Sequence, residues 1–102
     1  LTVWYAVPIY LRCSELVDGK VLIDESIRLI KAKSDNDATK KAKALAAKLE
    51  HKYLNEFKKE VAWSFCEIGE PWELLGDIKD GVEVYSRFIK ESTLAKGKTK
   101  KT

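Results

Sequence analysis

The sequence has only two cysteines, two prolines and one histidine among its 102 residues. Two cysteines are too few for the disulfide framework of a small secreted domain, so Cys13 and Cys66 are predicted to be reduced thiols in the core. A single histidine, His51, and the lack of a Cys-x-x-Cys pair leave too few nitrogen and sulfur ligands for a zinc site. We therefore expect neither a metal nor another cofactor.

Long apolar runs are also absent. No stretch approaches the roughly 18 apolar residues that a membrane-spanning helix needs, and the N-terminus lacks the charged, apolar and small-residue order of a signal peptide. We expect no contact with a membrane and a cytoplasmic location.

Motifs of catalysis are missing as well. The chain has no nucleophile elbow, phosphate-binding loop, dinucleotide motif or metalloprotease motif, and one histidine leaves little material for a Ser or Cys triad. Acidic side chains around Glu67 and Glu83 are the remaining candidates for acid–base chemistry, and a solvated acidic rim explains them more simply. We expect no catalytic residues and no enzymatic activity.

The composition that remains is that of one small folded domain. Apolar residues form 45% and charged residues 34% of the chain, a balance that favours a hydrophobic core over disorder. Residues 92–102 carry four Lys and no Asp or Glu. The sequence predicts a single domain over residues 1–91 and a disordered lysine-rich tail over residues 92–102.

Residues 2–32 have the pattern of a β-hairpin. Apolar and other residues alternate over residues 2–12, a second β-branched run covers residues 21–32, and Asp18-Gly19 provides the turn between them. The residues predicted to share one side of the first strand are Val3, Tyr5, Val7, Ile9 and Leu11. Pro8 cannot donate a ladder hydrogen bond, so it favours an edge position or a local irregularity.

One long helix is predicted over residues 35–54. Ser34 followed by Asp37 is typical of a helix start, because each side chain can accept a hydrogen bond from a free backbone N–H. Apolar residues then recur at helical spacing, at Ala38, Ala42, Leu45, Leu49 and Tyr53. We expect Ala42, Leu45 and Leu49 to be buried against a sheet.

Two further strands are predicted, over residues 61–68 and 82–89, with a short helical turn at residues 72–75 between them. The resulting order is strand, strand, helix, strand, strand. It predicts an α+β domain in which one long helix packs on one face of an antiparallel sheet.

Aromatic residues gather on the side of the strands that the helix would leave open. They are Trp4 and Tyr10 on the first strand and Tyr85, beside Arg87, on the predicted fourth strand. Trp, Tyr and Arg dominate the energetics of protein interfaces, so these four residues are a candidate partner-binding patch. A second small core, with Trp72 and Leu74 folded over it, is the structural alternative.

Lysines occupy the outer positions of the predicted helix. Lys40, Lys41, Lys43 and Lys48 could contact phosphates together with the tail, although a solvated helix face is the commoner reason for such a pattern. Aromatic residues are not interleaved with these lysines as in single-strand binders. Nucleic-acid binding is therefore an alternative that the sequence does not favour.

Four short segments follow one another in a distinctive order: Trp4-Tyr5-Ala6-Val7, Ala32 before an Ala-rich helix, Trp63-x-Phe65, and the run Asp80-Gly81-Val82-Glu83-Val84-Tyr85-Ser86-Arg87. Together, over residues 4–89, they resemble a family of small, mostly bacterial proteins known only as a domain of unknown function. The resemblance implies the limits of the domain but no activity, cofactor or catalytic residue. Pro8 departs from the family pattern, in which a polar or charged residue is usual.

These observations favour a non-enzymatic binding module that binds a protein, or a second copy of itself, through the open sheet face or an edge strand. A nucleic-acid accessory protein is the first alternative. A second alternative, an immunity or antitoxin-like inhibitor of a partner protein, rests on analogy of size and charge alone.

Overall fold

The computed structural model of the protein describes residues 1–94. Its elements are β1 (Val3–Val17), β2 (Lys20–Ala32), α1 (Asp35–Leu49), β3 (His51–Leu54), β4 (Glu60–Ile68) and β5 (Trp72–Glu73). The predicted α+β class, with an antiparallel sheet and one main helix, is confirmed. Residues 91–94 form a single helical turn, and residues 95–102 of the predicted disordered tail lie outside the described residues.

The first two strands form the predicted hairpin, which is the longest feature of the fold. Asp18 and Gly19 connect the strands with φ angles of 51° and 73°, and positive φ at both central residues suits the twist of a two-residue hairpin. Side chains of β1 alternate as predicted, because Tyr5, Val7 and Ile9 are buried on one face of the sheet.

Helix α1 begins where the sequence places it. The Asp37 backbone N–H donates to Ser34 Oγ at 3.1 Å, and the Lys33 backbone N–H donates to Asp37 Oδ2 at 2.9 Å. The helix packs on the sheet through three small residues, Ala38, Ala42 and Ala46, all of which are buried. Leu45 and Leu49, expected to be buried, lie half-buried at the edge of this contact.

The predicted end of the helix at Leu54 is wrong, because α1 stops at Leu49. Glu50 turns the chain into extended conformation with ψ of 138°, and residues His51–Leu54 form β3. β3 pairs antiparallel with β4, so that Tyr53 lies opposite Val61. The turn that follows β3 is held by Asn55, whose Oδ1 accepts hydrogen bonds from the Phe57 and Lys59 backbone N–H groups. Pairing with β4 therefore makes residues 51–54 a strand, although Tyr53 continues the helical spacing of apolar residues.

The strand order is β2-β1-β4-β3, and β5 pairs with β1 beside the end of β4. β1 is therefore the central strand. The predicted strand over Val82–Ile89 is wrong, because residues 82–90 have no regular structure. β4 and β5 already occupy the edge of β1 away from β2, and β5 itself replaces the short helix predicted at Trp72–Leu75.

Pro8 lies at the break between these two short partners of β1. The residue pairs on either side of Pro8 are Ile9 with Ile68 on β4 and Ala6 with Trp72 on β5. Between them, the Gly69 N–H donates to the Pro8 carbonyl at 2.9 Å, and a Cβ on Gly69 would stand 2.9 Å from the Pro8 ring. Pro8 thus occupies the predicted local irregularity, on a central strand.

The two cysteines have different surroundings. Cys13 is buried on β1 as predicted, whereas Cys66 is exposed, and both are free thiols. Cys66 lies at the irregularity of the β1–β4 register, where Tyr10 pairs with Glu67 but Leu11 pairs with Phe65. This bulge leaves Cys66 without a partner position on β1, so the expectation of a core thiol fails there.

Candidate binding site on the open face of the sheet

A groove lies on the sheet face opposite α1. Its floor consists of Ala6, Pro8 and Tyr10, whose side chains alternate with the buried ones of β1. Ile27 and Glu25 of β2 stand directly beside Pro8 and Tyr10 in the register and extend the floor. The groove therefore follows from the alternation of the β1–β2 hairpin.

Two other segments wall this groove. Trp72 joins from β5, where it pairs with Ala6, and residues 82–87 add Val84, Tyr85 and Arg87. The Trp72 and Tyr85 rings meet edge to face, with their centroids 5.4 Å apart and their planes inclined by 64°. The enclosed volume is about 530 Å³, within the range of pockets that hold small molecules or side chains.

Charged groups lie at the rim of this mainly apolar groove. The Tyr10 hydroxyl donates to Glu25 Oε2 at 2.7 Å, and this hydrogen bond, followed by burial, raises the pKa of Tyr10. Glu70 and Arg87 complete the lining. The groove can therefore accept an apolar or aromatic group and meet either sign of charge at its rim.

Three of the four predicted partner-binding residues come together in this groove: Tyr10, Tyr85 and Arg87. Trp4 lies on the same face of β1 but lines a separate depression with Glu73 and Leu74, and the Lys31 ammonium stands 5.6 Å from its ring centroid. Tyr85 and Arg87 reach the groove from an irregular segment and not from a strand.

Sequence reasoning did not include Pro8, Ile27 or Trp72 in the site. In the structural alternative, Trp72 folds over a second small core; in the structure it contacts Tyr85. Leu74 is buried, as that alternative expected, whereas Tyr85 remains 57% exposed. The alternation that groups Ile27 with Pro8 becomes visible only once the hairpin register is known.

An apolar stripe continues from the groove along β2. Register places its members on the same sheet face as Ala6 and Pro8, and each is 41 to 55% exposed: Val21, Ile23, Ile27 and Leu29. No described residue covers them. Glu25 lies between Ile23 and Ile27 on this face. Exposed apolar side chains grouped in this way are typical of interaction sites.

The helix lysines lie elsewhere. Lys40, Lys43 and Lys48 are exposed on α1. Lys41 is instead held at the sheet, because its ammonium donates to the Lys31 carbonyl at 2.8 Å and lies 3.7 Å from Asp37 Oδ2. The four lysines therefore do not form a single free cluster.

Within residues 1–94, no group of His, Cys, Asp or Glu side chains is arranged to hold a metal ion. The helices of this same part of the chain are all too short or too polar to cross a membrane.

Comparison with known proteins gives one finding. The model of a family described as a domain of unknown function (DUF4288) matches residues 4–86 of the chain. A search of curated proteins and a search of solved structures gave no match.

Proposed function

The chain belongs to the DUF4288 family, a domain of unknown function, and we propose that it is a non-enzymatic module that binds a protein through the open face of its sheet. The observation that carries this proposal is the groove in which Tyr10, Trp72, Tyr85 and Arg87 stand around an apolar floor. Aromatic and Arg side chains around an apolar pocket are the usual anchors of protein interfaces.

The surroundings of the groove support a protein partner over a small molecule. The apolar stripe on β2 extends the accessible surface well beyond the groove, so a partner with a broad apolar surface gains more from docking than a compact ligand. Glu25, Glu70 and Arg87 would then meet polar groups at the rim of the interface. The exposed free thiol of Cys66 suits the reducing cytoplasm as the compartment of this interaction.

Capture from a lysate of the source cells tests the proposal. The immobilised parent protein is compared with Tyr85→Ala and Arg87→Ala, and Tyr53→Ala is the matched control because Tyr53 is exposed on β3, outside the groove. We expect at least one protein, identified by quantitative mass spectrometry, to bind the parent and the control but not the groove variants. The groove has no such role if every captured protein binds all four equally.

Nucleic-acid binding is the second candidate, since Lys40, Lys43 and Lys48 take part in no ion pair within the described residues. Each phosphate that a lysine neutralises steepens the fall of affinity with salt. A salt titration with a mixed oligonucleotide therefore tests it, using the parent, the triple Ala variant and a chain lacking residues 92–102. Absence of binding at low salt removes this candidate.

A further inference from the structure

The outer edge of β2 is the longest edge of the sheet that no described segment covers. In the order β2-β1-β4-β3, β2 is the 13-residue strand at one end and β3 a 4-residue strand at the other. No described segment pairs with the outer side of β2. Unpaired strand edges of this length bind further strands readily unless something protects them.

The direction of the backbone groups on this edge follows from the contacts of β1. Trp4 and Pro8 accept hydrogen bonds from Leu74 and Gly69, so even-numbered β1 residues point their backbone groups away from β2. Odd-numbered β1 residues therefore bond to β2, and they pair with its even-numbered residues. The backbone N–H and C=O groups of odd-numbered β2 residues therefore point away from β1, toward the outer edge. The hydrogen bond from the Lys41 ammonium to the Lys31 carbonyl is consistent with this direction.

A second copy can add to this edge in a limited set of registers. A twofold axis perpendicular to the sheet pairs the two β2 strands antiparallel and keeps the open faces of both copies on the same side. Residues that lie opposite each other must then both have odd numbers or both have even numbers. Centring the axis on Asp24, Glu25 or Arg28 would place identical charges opposite each other. Centring it on Ile27 would place Asp24 opposite Ile30 and Arg28 opposite Ser26, so that no ion pair would form across the axis.

Centring the axis on Ser26 makes the edge complementary to itself. Asp24 then faces Arg28 of the second copy, and the symmetry repeats this ion pair on the other side of the axis. These are non-hydrogen-bonded positions, at which side chains of opposite strands approach most closely. Arg28 already leans toward the axis, because its Nε donates to Ser26 Oγ at 3.3 Å.

The open face gains one apolar pair on each side of the axis in this register. Ile23 comes to lie beside Leu29 of the second copy, whereas Glu25 lies beside Ile27. Ile23 and Leu29 are exposed in the single chain, and pairing removes part of their apolar surface from water. The Asp24–Arg28 ion pair therefore selects this register, and the contact of Ile23 with Leu29 accompanies it.

We propose that β2 pairs with β2 of a second copy, antiparallel and centred on Ser26, to form one continuous sheet through two domains. The paired section runs over residues 23–29 and ends near Lys31, where Lys41 takes the edge carbonyl. The two grooves open on the same side of the joined sheet, which presents them together to one partner. The pairing uses the edge of β2 and does not depend on a ligand in the groove.

Charge exchange tests this register. Asp24→Arg alone, or Arg28→Asp alone, places like charges opposite each other twice, whereas an equimolar mixture of the two variants places opposite charges at both sites. By sedimentation equilibrium we expect each single variant to dimerise about tenfold or more weakly than the parent, and the mixture to recover the parent affinity. The double variant Asp24→Arg with Arg28→Asp should recover it too.

A crosslink gives an independent readout. In a Cys66→Ser background, Ser26→Cys should oxidise to a covalent dimer, because the two Cα atoms at the axis stand about 4.5 Å apart in a non-hydrogen-bonded pair. Arg28→Cys is the matched control, since it faces Asp24 and lies far from its own symmetry mate. Circular dichroism of every variant verifies that the fold is retained.

Three results would overturn the pairing: a parent that is monomeric up to about 1 mM, single charge variants that dimerise like the parent, or equal crosslinking at positions 26 and 28. Tyr85→Ala leaves the β2 edge intact and should dimerise normally. A parent protein that stays monomeric but still captures a partner through the groove would therefore refute the edge pairing alone. A parent that dimerises as expected but captures no protein through the groove would refute the groove alone.

Discussion

The two faces of the sheet use the same strand in opposite ways. On the covered face, Val7 and Ile9 of β1 are fully buried beneath α1, whose buried residues Ala38, Ala42 and Ala46 allow the helix close to the strands. On the open face, Ala6 is buried but Ile27 stays 55% exposed beside an irregular segment. The difference shows that one face supplies the core of the fold, whereas the other leaves large apolar side chains exposed.

The flat shape of the molecule follows from this asymmetry. The protein measures 47 × 44 × 22 Å, and its radius of gyration of 17.3 Å exceeds the roughly 13 Å expected for a compact domain of about 100 residues. Within residues 1–94, α1 is the one main helix that packs on the sheet, and it covers a single face. A domain of this shape leaves many large apolar side chains exposed.

The largest expected difference between the two faces is in the stability lost when one isoleucine on each is truncated to alanine. Ile9→Ala should lower the free energy of unfolding by about 2 to 5 kcal/mol, because it leaves a cavity between the sheet and the helix. Ile27→Ala, at an exposed site, should lower it by less than about 1 kcal/mol. Urea denaturation at low protein concentration measures both, and equal losses would mean that the open face is a second core.

A helix substitution tests the close packing on the covered face. Ala42→Leu adds volume where α1 meets β1 and should cost about 1 to 3 kcal/mol of stability. Ala47→Leu is the matched control, because Ala47 is exposed on the same helix. Thermal denaturation of the two variants measures the difference between their melting temperatures. An unchanged melting temperature for Ala42→Leu would indicate that the helix does not pack tightly on the sheet.

The hydrogen bond at the start of α1 should make the free energy of unfolding depend on pH under acidic conditions. The Lys33 backbone N–H bonded to Asp37 lowers the pKa of Asp37 below its usual value. This contribution to stability is complete above the unfolded pKa near 4 and is lost as the pH falls through the lower folded pKa. The free-energy difference between the parent and Asp37→Asn should therefore be largest at neutral pH and shrink below about pH 4.

Asp35→Asn is the control for this titration, since it leaves the bond between Lys33 and Asp37 in place. Denaturant unfolding at several pH values provides the measurement. A difference between the parent and Asp37→Asn that stays constant down to about pH 2 would contradict the assigned cause.

The smallest effect on stability is expected on the open face. Tyr85 is 57% exposed and meets Trp72 edge to face, so Tyr85→Ala should change the free energy of unfolding by no more than about 1 kcal/mol. Thermal denaturation followed by circular dichroism tests this. A variant that fails to fold would assign Tyr85 to the structure of the domain and remove it from the binding surface.

Sequence reasoning was correct where a signal is local. The alternation of β1 identified its buried side chains, Asp18-Gly19 located the hairpin turn, and Ser34 with Asp37 located the start of the helix. Each of these depends on residues a few positions apart. The same reasoning went wrong at residues 51–54 and 82–89, where a regular pattern of apolar residues was compatible with more than one structure.

Of the candidate site, the sequence supplied three groove residues but not the way in which they meet. Tyr85 and Arg87 were placed on a fourth strand, whereas they lie on an irregular segment beside Trp72. Ile27 and Pro8 were missed because their proximity depends on the hairpin register.

By itself, then, the sequence determined which side chains of β1 share a face, where the first turn lies and where the helix begins, since short-range alternation and backbone capping decide these features. Only the tertiary structure decided that β1 is central, that the helix ends at Leu49 before β3, and that no other segment of residues 1–94 pairs with the outer edge of β2. Those outcomes depend on competition among distant segments for the two edges of one strand. Backbone hydrogen bonds join N–H and C=O groups that nearly every residue has, whatever its side chain. The segments that pair with β1 therefore cannot be identified from their own residues alone.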